Sequence, residues 1–464
     1  MIPILAIMLV VPAILLGALA ITKRHSKKVA LLSTTVGFLL MLYLLSVFLS
    51  GGTIPPESHS YLGALNILLN LNVTPIGMVF LMLSAIVLLC ATLSIGIDSK
   101  HPCESSALIM LFQIASVGLF LSSNLYLLFI FWDIGVIAMF FMIYFLGSAT
   151  RRGAAMKFLL YEIFASGMLF LGIIFLVSFL GTANIQLLMV ATSSLSTLKQ
   201  IIVFLPLLLA FLINMPVFPF HLWLPEAHTE APTEGSMILS GVLTKFGGFG
   251  MLLLFEMLPI ARTYTPEIAA LAVVSAFYSV FVMMKQTDLK RIIAYSTITD
   301  MAIVLLALTA FSAIGQEGAL VAMVAHAVTV SLMFLLAGII HKTYGERDTR
   351  LLKGIITSSP ILAYVFIIGA FSMVGLPLTA TFIGEIMVFI GSYSAFGLFG
   401  LLAMGAVALM GAFLYLVIQK VVFETQDAST PIDSVGHMPF AAGFLLLFFI
   451  FVFGLLPYLI TAIR

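Results

Sequence analysis

Five ionisable side chains stand inside long apolar runs of this sequence: Asp133 in FIFWDIGVIAM, Lys245 in VLTKFGGFG, Asp300 in STITDMAIVLL, His326 in MVAHAVTVS and Glu385 in FIGEIMVFI. A charge placed in hydrocarbon costs about 3 kcal/mol or more, so each of them needs a reason to be there. One such residue is well explained as a buried, hydrogen-bonded structural group. A set of them, each able to take up and release a proton at membrane depth, is what a proton path requires. Glu162 is a further candidate. It follows the basic stretch of Arg151, Arg152 and Lys157, and reads equally as a salt-bridge partner there or as a relay group. Glu256 falls near the end of an apolar run and reads as interfacial.

The elements that must carry these residues are membrane helices. Of the 464 residues, 62% are hydrophobic and only 8% charged, with a mean hydropathy of +1.24. A soluble domain spends about a quarter of its residues on charge, so the chain reads as an all-α polytopic membrane protein forming a single membrane domain over residues 1–464. Continuous apolar runs, not ten-residue alternations, exclude a β-barrel. At roughly 20 residues per crossing, the runs give fourteen spans: 2–21, 29–50, 75–97, 105–123, 124–146, 154–180, 200–224, 232–257, 266–285, 290–312, 318–341, 358–391, 395–423 and 438–460. The first run precedes its basic residues, the reverse of a secretory signal peptide, and is expected to be retained.

Loop charges give the orientation. Of the 20 Lys and Arg residues, sixteen fall in loops after odd-numbered spans, among them Lys23, Lys100, Arg151, Lys290 and Arg347, and the opposite loops hold Lys199, Arg262 and Arg464. Basic residues gather on the cytoplasmic side, so both termini are expected on the outer face of the cytoplasmic membrane. Lys245 is the one basic residue left inside a span.

Two spans look interrupted. Span seven contains NMPVFPFHLWLPEAH, with Asn214, Pro216, Pro219 and Pro225; span twelve contains SMVGLPLTATFIGE, with Gly375, Pro377 and Gly384. Proline removes a helix donor, and a pair of broken helices points to a transporter whose freed backbone lines a wet cavity. A plain proline kink is the competing reading. His221 and His228 lie in the first break; two imidazoles without a third ligand make no metal site, and they read as structural or relay groups. Cys90 and Cys103 are too few for an iron–sulfur cluster, so no cofactor is expected in this chain and redox centres belong to partner subunits. A formal charge of +1 gives no reason to expect nucleic acid.

The stretch Asn214–Gly250, NMPVFPFHLWLPEAHTEAPTEGSMILSGVLTKFGGFG, closely resembles the hallmark segment of the antiporter-like, proton-translocating subunits of respiratory complex I, the M-type or chain 4 subunit above all. QTDLKRIIAYSTITDM from Gln286, MVAHAVTVSLMFLLAG around His326, GLPLTATFIGE ending at Glu385 and RRGAAMKFLLYEIFASGMLFLG from Arg151 resemble it too. The resemblance implies two inverted five-helix repeats, 105–257 and 266–423, each with one discontinuous helix. It also implies a line of charged residues and water along the membrane midplane. Carried over by position, Lys245 would be the central switch, His326 a relay and Glu385 the terminal group.

The sequence departs from that family in the first half. The span-five glutamate is Asp133, the span-seven lysine is Asn214, the span-ten histidine is Asp300, and Glu162 and Glu234 replace small residues. Asp133 thus loses its cation and is expected to sit protonated, or to turn to Lys245 or a bound cation. Either this half handles Na+ on its carboxylates and amide carbonyl, or Lys245 and water take over the missing role. The function expected is proton translocation, with Na+ as the other ion, in a redox-driven complex I-related assembly. The departures and the short C-terminal part point to a divergent host, a membrane-bound hydrogenase, a sulfur-reducing complex, a ferredoxin- or F420-type dehydrogenase or an NADH:quinone enzyme, the first two favoured as the hosts that would tolerate the missing lysine. The partners implied are other antiporter-like and small membrane subunits, the lipid bilayer, and a hydrogenase-like peripheral arm. A subunit of a multi-chain Na+/H+ antiporter is the alternative; a stand-alone secondary transporter and a structural scaffold fit the residues less well.

Overall fold

A computed structural model describes residues 3–21, 23–62, 67–97, 101–424 and 431–462; Lys100 and Arg464 of the charge count lie outside them. The chain is predominantly helical. In order come α1 (Ile4–Ile21), α2 (Ser26–Leu49), a hairpin of β1 (Glu57–Leu62) and β2 (Ile67–Leu71), then α3 (Pro75–Ser94), α4 (Pro102–Leu121), α5 (Leu125–Leu146), α6 (Arg151–Leu180), α7 (Ile185–Ala191) and α8 (Thr197–Asn214). The run continues with α9 (Trp223–Glu230), α10 (Thr233–Ile238), α11 (Thr244–Met257), α12 (Thr265–Met283), α13 (Leu289–Thr309) and α14 (Ala313–Tyr344). It closes with α15 (Ile355–Ser358), α16 (Pro360–Ser372), α17 (Ala380–Phe396), α18 (Leu402–Ile418), α19 (His437–Leu455) and α20 (Tyr458–Thr461).

Among the described residues 12 helical stretches are long and apolar enough to cross a membrane. Fourteen were expected. One of the two extra is the shorter apolar helix Ile4–Leu19, and the other arises because Ala380–Phe423 counts as one apolar stretch although it holds two helices, α17 and α18, parted at Gly397. The hairpin falls in a segment read as loop, and the Glu57 carboxylate accepts hydrogen bonds from the backbone N–H groups of Leu5 (3.0 Å) and Ala6 (2.9 Å) in the first turn of α1. Those donors have no partner within the helix, and a carboxylate is the natural cap for them.

Both expected interruptions are present. Helix ends at Asn214 and resumes at Trp223; it ends again at Ser372 and resumes at Ala380. Freed backbone groups at this depth need partners. The Phe218 N–H donates to Ser275 Oγ (3.0 Å), and Trp223 Nε1 donates to the Ile213 carbonyl (3.0 Å). The second half of span seven runs further than the sequence suggested, to Glu230, because Pro225 sits in the first turn of α9, where no donor is missed.

The core lies around α10, α11, α13 and α14. In Ala313–Tyr344 and Thr233–Met257 94% of the apolar window is buried, against 28% in Ser26–Leu49, whose outer face is left for lipid. α14 and α17 approach through small residues. A Cβ on Gly391 would meet Gly315 Cα at 2.4 Å, one on Gly318 would meet Val388 N at 2.8 Å, and one on Gly384 would meet Ala322 Cα at 2.9 Å. Gly315, Gly318 and Ala322 thus face Gly391, Val388 and Gly384 as an antiparallel small-residue seam, the usual device where lipid supplies no hydrophobic drive between helices. The seam sets the distance between His326 on α14 and Glu385 on α17.

Gly391→Val should therefore force the seam apart and destabilise the chain by about 1–3 kcal/mol, the usual scale of overpacking. Gly17→Val, where an added Cβ meets nothing within 4 Å, should be near neutral. Thermal unfolding of both variants in detergent checks this.

Candidate functional site

Lys245 is fully buried, and its position follows from a defect in its helix. Between α10 and α11 the backbone widens into a π turn over Leu239–Leu243, which releases backbone carbonyls from the regular ladder. The Ser240 carbonyl accepts from Lys245 Nζ (2.7 Å) and from Thr244 Oγ1 (2.8 Å), and Thr244 Oγ1 stands 3.3 Å from Nζ. On the other side Nζ lies 2.5 Å from His326 Nδ1. Each ammonium direction meets an acceptor, so the cation is solvated by protein where lipid offers nothing.

The hydrogen bond to His326 has a direction. An ammonium donating to Nδ1 leaves the ring proton on Nε2, and Nε2 points toward Asp300 Oδ2 at 3.6 Å. His326, Asp300, Thr329, Thr381, Glu385 and Met373 line one cavity of about 20 Å³, which is room for about one water molecule. His326 Nε2, Thr329 Oγ1 and Thr381 Oγ1 are buried around it without a protein hydrogen-bond partner. Polar atoms in that condition suit a bridging solvent molecule.

The second break positions Glu385. Gly375 has φ +75°, and a Cβ there would lie 2.5 Å from Glu385 Oε2. Only glycine both adopts that backbone and leaves room for the carboxyl. Leu378, also in the break, has φ 75° without being glycine, a conformation worth about 1 kcal/mol or more of strain. Pro377 lies between them, and Pro216 opens the first break beside Asn214.

In the first half the structure regroups the expected residues. Asp133 on α5 does not reach Lys245; it accepts a hydrogen bond from Ser166 Oγ of α6 at 2.5 Å. Glu162, fully buried on α6, faces Asn214 instead, whose Nδ2 donates to Oε2 at 3.2 Å and to Oε1 at 3.4 Å. Asn214 Oδ1 accepts the Gly247 N–H at 2.8 Å, and that donor fixes which end of the amide is oxygen. The carbonyl that a sodium reading of this half would use thus already accepts one hydrogen bond. Glu162 is no salt-bridge partner of the basic loop: Lys157 pairs with Glu226 of α9 at 2.6 Å.

The two histidines of the first break sit apart. His221 packs on Phe218 and Tyr278, with ring centroids 5.9 and 5.0 Å away, and His228 stacks on Phe334 at 4.3 Å. All four ring nitrogens lack a hydrogen-bond partner. His228 lies within electrostatic reach of Lys245 and Lys290. Lys290 was read as a loop residue but is 2% exposed, because it follows the Asp288 cap and turns inward to donate to the Ala231 carbonyl at 2.8 Å. It stands at the foot of an open cavity of about 430 Å³, lined also by Glu230, His341, Lys342, Arg347 and Asp433. At the rim Lys342 donates to Asp433 at 2.9 Å and holds that carboxyl below its ordinary value. Ser166, Ser240 and Thr329 were likewise missed; a lone hydroxyl in an apolar run carries no signal of its own.

Residues 122–411 match the family model described as NADH:quinone oxidoreductase/Mrp antiporter, transmembrane. NADH-quinone oxidoreductase subunit M of Rickettsia typhi is 31% identical over 406 residues, covering 84% of this chain and 82% of that protein. Among solved structures, a chain of respiratory complex I from Thermus thermophilus superposes with a TM-score of 0.91 at 24% identity, over 99% of this chain and 97% of the other. A chain of the membrane-bound sulfane sulfur reductase, an archaeal respiratory membrane complex, gives 0.87 at 20% identity, over 99% and 96%. This multi-pass membrane protein is an antiporter-like subunit and belongs to the NADH:quinone oxidoreductase/Mrp antiporter transmembrane family.

Proposed function

We propose that the chain moves protons along Lys245, His326, Asp300 and Glu385 as a membrane subunit of a redox-driven respiratory complex. The observation that carries this reading is the buried 2.5 Å contact of Lys245 Nζ with His326 Nδ1, on a ring whose other nitrogen opens on the cavity shared with Asp300 and Glu385. A proton leaving the ammonium passes to Nδ1; the proton on Nε2 passes through the cavity to a carboxylate. The imidazole ends as the other tautomer and resets by returning its proton or by turning over. In this reading Lys245 is refilled from the mouth lined by Lys290, and His228, within electrostatic reach of both lysines, is the candidate relay.

That mouth lies on the face that gathers basic residues, so we place it on the cytoplasmic side, with both termini outward. The two breaks belong, in this reading, to inverted repeats over 105–257 and 266–423. The relatives named for NADH:quinone oxidoreduction and the fold shared with the sulfane sulfur reductase support other antiporter-like and small membrane subunits as partners. In this reading redox centres, iron–sulfur clusters among them, belong to partner subunits in a peripheral arm of hydrogenase-like type. This chain would perform no covalent chemistry; the sites interact and titrate as a set, so a charge change at one end is passed along the line. A subunit of a multi-chain Na+/H+ antiporter is the second reading, favoured by a family description that includes the Mrp antiporters. Co-purification with hydrogenase-like or NADH dehydrogenase-like chains supports the first reading; their absence supports the second.

Lys245→Met in the assembled complex should lower proton uptake into proteoliposomes by about 100-fold, the scale on which a positioned proton-transfer group contributes, with the complex still assembled. Uptake like that of the parent would overturn the path. The pair Thr329→Val and Thr381→Val should slow uptake by about tenfold, since each removes a polar atom from the cavity that holds the bridging solvent. Time-resolved quenching of a pH-sensitive dye checks both.

A further inference from the structure

Two carboxyls of the first half, Asp133 and Glu162, are held by neutral partners, Ser166 and Asn214. Glu162 and Asp133 lie within electrostatic reach of each other. Ser166, which donates to Asp133, stands four residues after Glu162 on α6, so the two anchors share one helix face. Among the described residues no Lys, Arg or His comes within salt-bridge distance of either carboxyl. At the position where the family resemblance expects a lysine stands Asn214, which supplies one N–H to Glu162 and carries no charge.

We propose that Asp133 and Glu162 work as one proton-sharing pair, positioned by Ser166 and Asn214, that serves as the charge switch of the first half in place of a lysine–carboxylate ion pair. Two carboxylates in a low-dielectric site cannot both stay ionised without a cation, and strongly interacting groups titrate as a unit. The pair alternates between one proton and two. In the step that adds a proton, an O–H bond forms on a carboxylate oxygen with a proton taken from water, and the net charge goes from minus one to zero. In the reverse step that bond breaks and the proton returns to water. Asp133 is the half-buried member and exchanges with the surroundings; Glu162 is the inner one.

Asn214 is the positioning residue. Its Oδ1 holds the Gly247 N–H, two residues beyond Lys245 on α11. Through that contact a change in the charge of the pair reaches the helix that carries Lys245, with no positive charge needed at position 214.

This inference rests on the translocation reading above, so the test separates the two. In the purified complex, protons moved per electron are measured for Glu162→Gln, Asp133→Asn, the double variant, Asn214→Leu and Lys245→Met. Infrared difference spectra of the same samples follow the C=O band of a protonated carboxyl. Each single carboxyl variant should lower translocation by about tenfold, and the double variant no further, because groups acting as a unit are not additive. The protonated-carboxyl band should vanish in Glu162→Gln and shift in Asn214→Leu. Additive losses, or a band unchanged in Asn214→Leu, would overturn the pair while leaving the path through Lys245. Parent-like translocation in the carboxyl variants with loss in Lys245→Met does the same. Parent-like translocation in Lys245→Met sinks the underlying reading instead. Should Glu162→Gln fail to assemble, Glu162→Asp, which keeps the carboxyl, is expected to restore assembly and the band.

Discussion

The structure is organised around the solvation of one ammonium group in the middle of a protein that lipid surrounds. Lys245 needs acceptors on every side, and an unbroken α-helix could not offer a free carbonyl five residues back. The π turn before α11 supplies one at Ser240, and His326 supplies the other acceptor from α14. The second acceptor fixes which face α14 turns inward, and the glycine seam then fixes how near α17 comes. Glu385, the break at Gly375 and the small cavity all follow from that sequence of constraints.

The two halves solve different problems with similar parts. Each has a helix that stops in the membrane, at Asn214 and at Ser372, and each holds a carboxyl beside the stop. Near the second stop the carboxyl is approached by bare backbone at Gly375, and a histidine ring faces it across the cavity. Near the first, a carboxamide both caps the carboxyl and ties it to the lysine helix. Losing a lysine and gaining Glu162 reads in sequence as two unrelated departures. In space they are one exchange, since the N–H end of the amide donates to the new acid.

Much of this was legible beforehand. Composition alone demands membrane helices, and the prolines and glycines of both breaks mark where the helices stop. Lys245, Asp300, His326 and Glu385 announced themselves as charges in apolar runs, and they are the residues brought together. Asp133 announced itself in the same way but stands apart, because hydropathy reports depth and says nothing of which helix faces which. Its contact with Ser166 depends on the packing of α5 on α6, for which the only sequence trace is a serine four positions after Glu162. Lys290 was misplaced for a related reason: a lysine at the first turn of a helix looks interfacial until its neighbour, the carbonyl at Ala231, is known to lie inside. The hairpin was invisible because its polar strand, ESHSYL, alternates too weakly to stand out from a loop.

On the proposed path, the cavity of about 20 Å³ shared by His326 and Glu385 would also act as a sieve. A proton crosses such a gap by rearranging bonds on a single solvent molecule, without anything heavier changing place. An alkali ion would have to bring itself and part of its hydration shell through the same space, past walls of Ile303, Ala322 and Val330. On the proposed path, volume alone would favour in the second half what can be handed on over what must be carried.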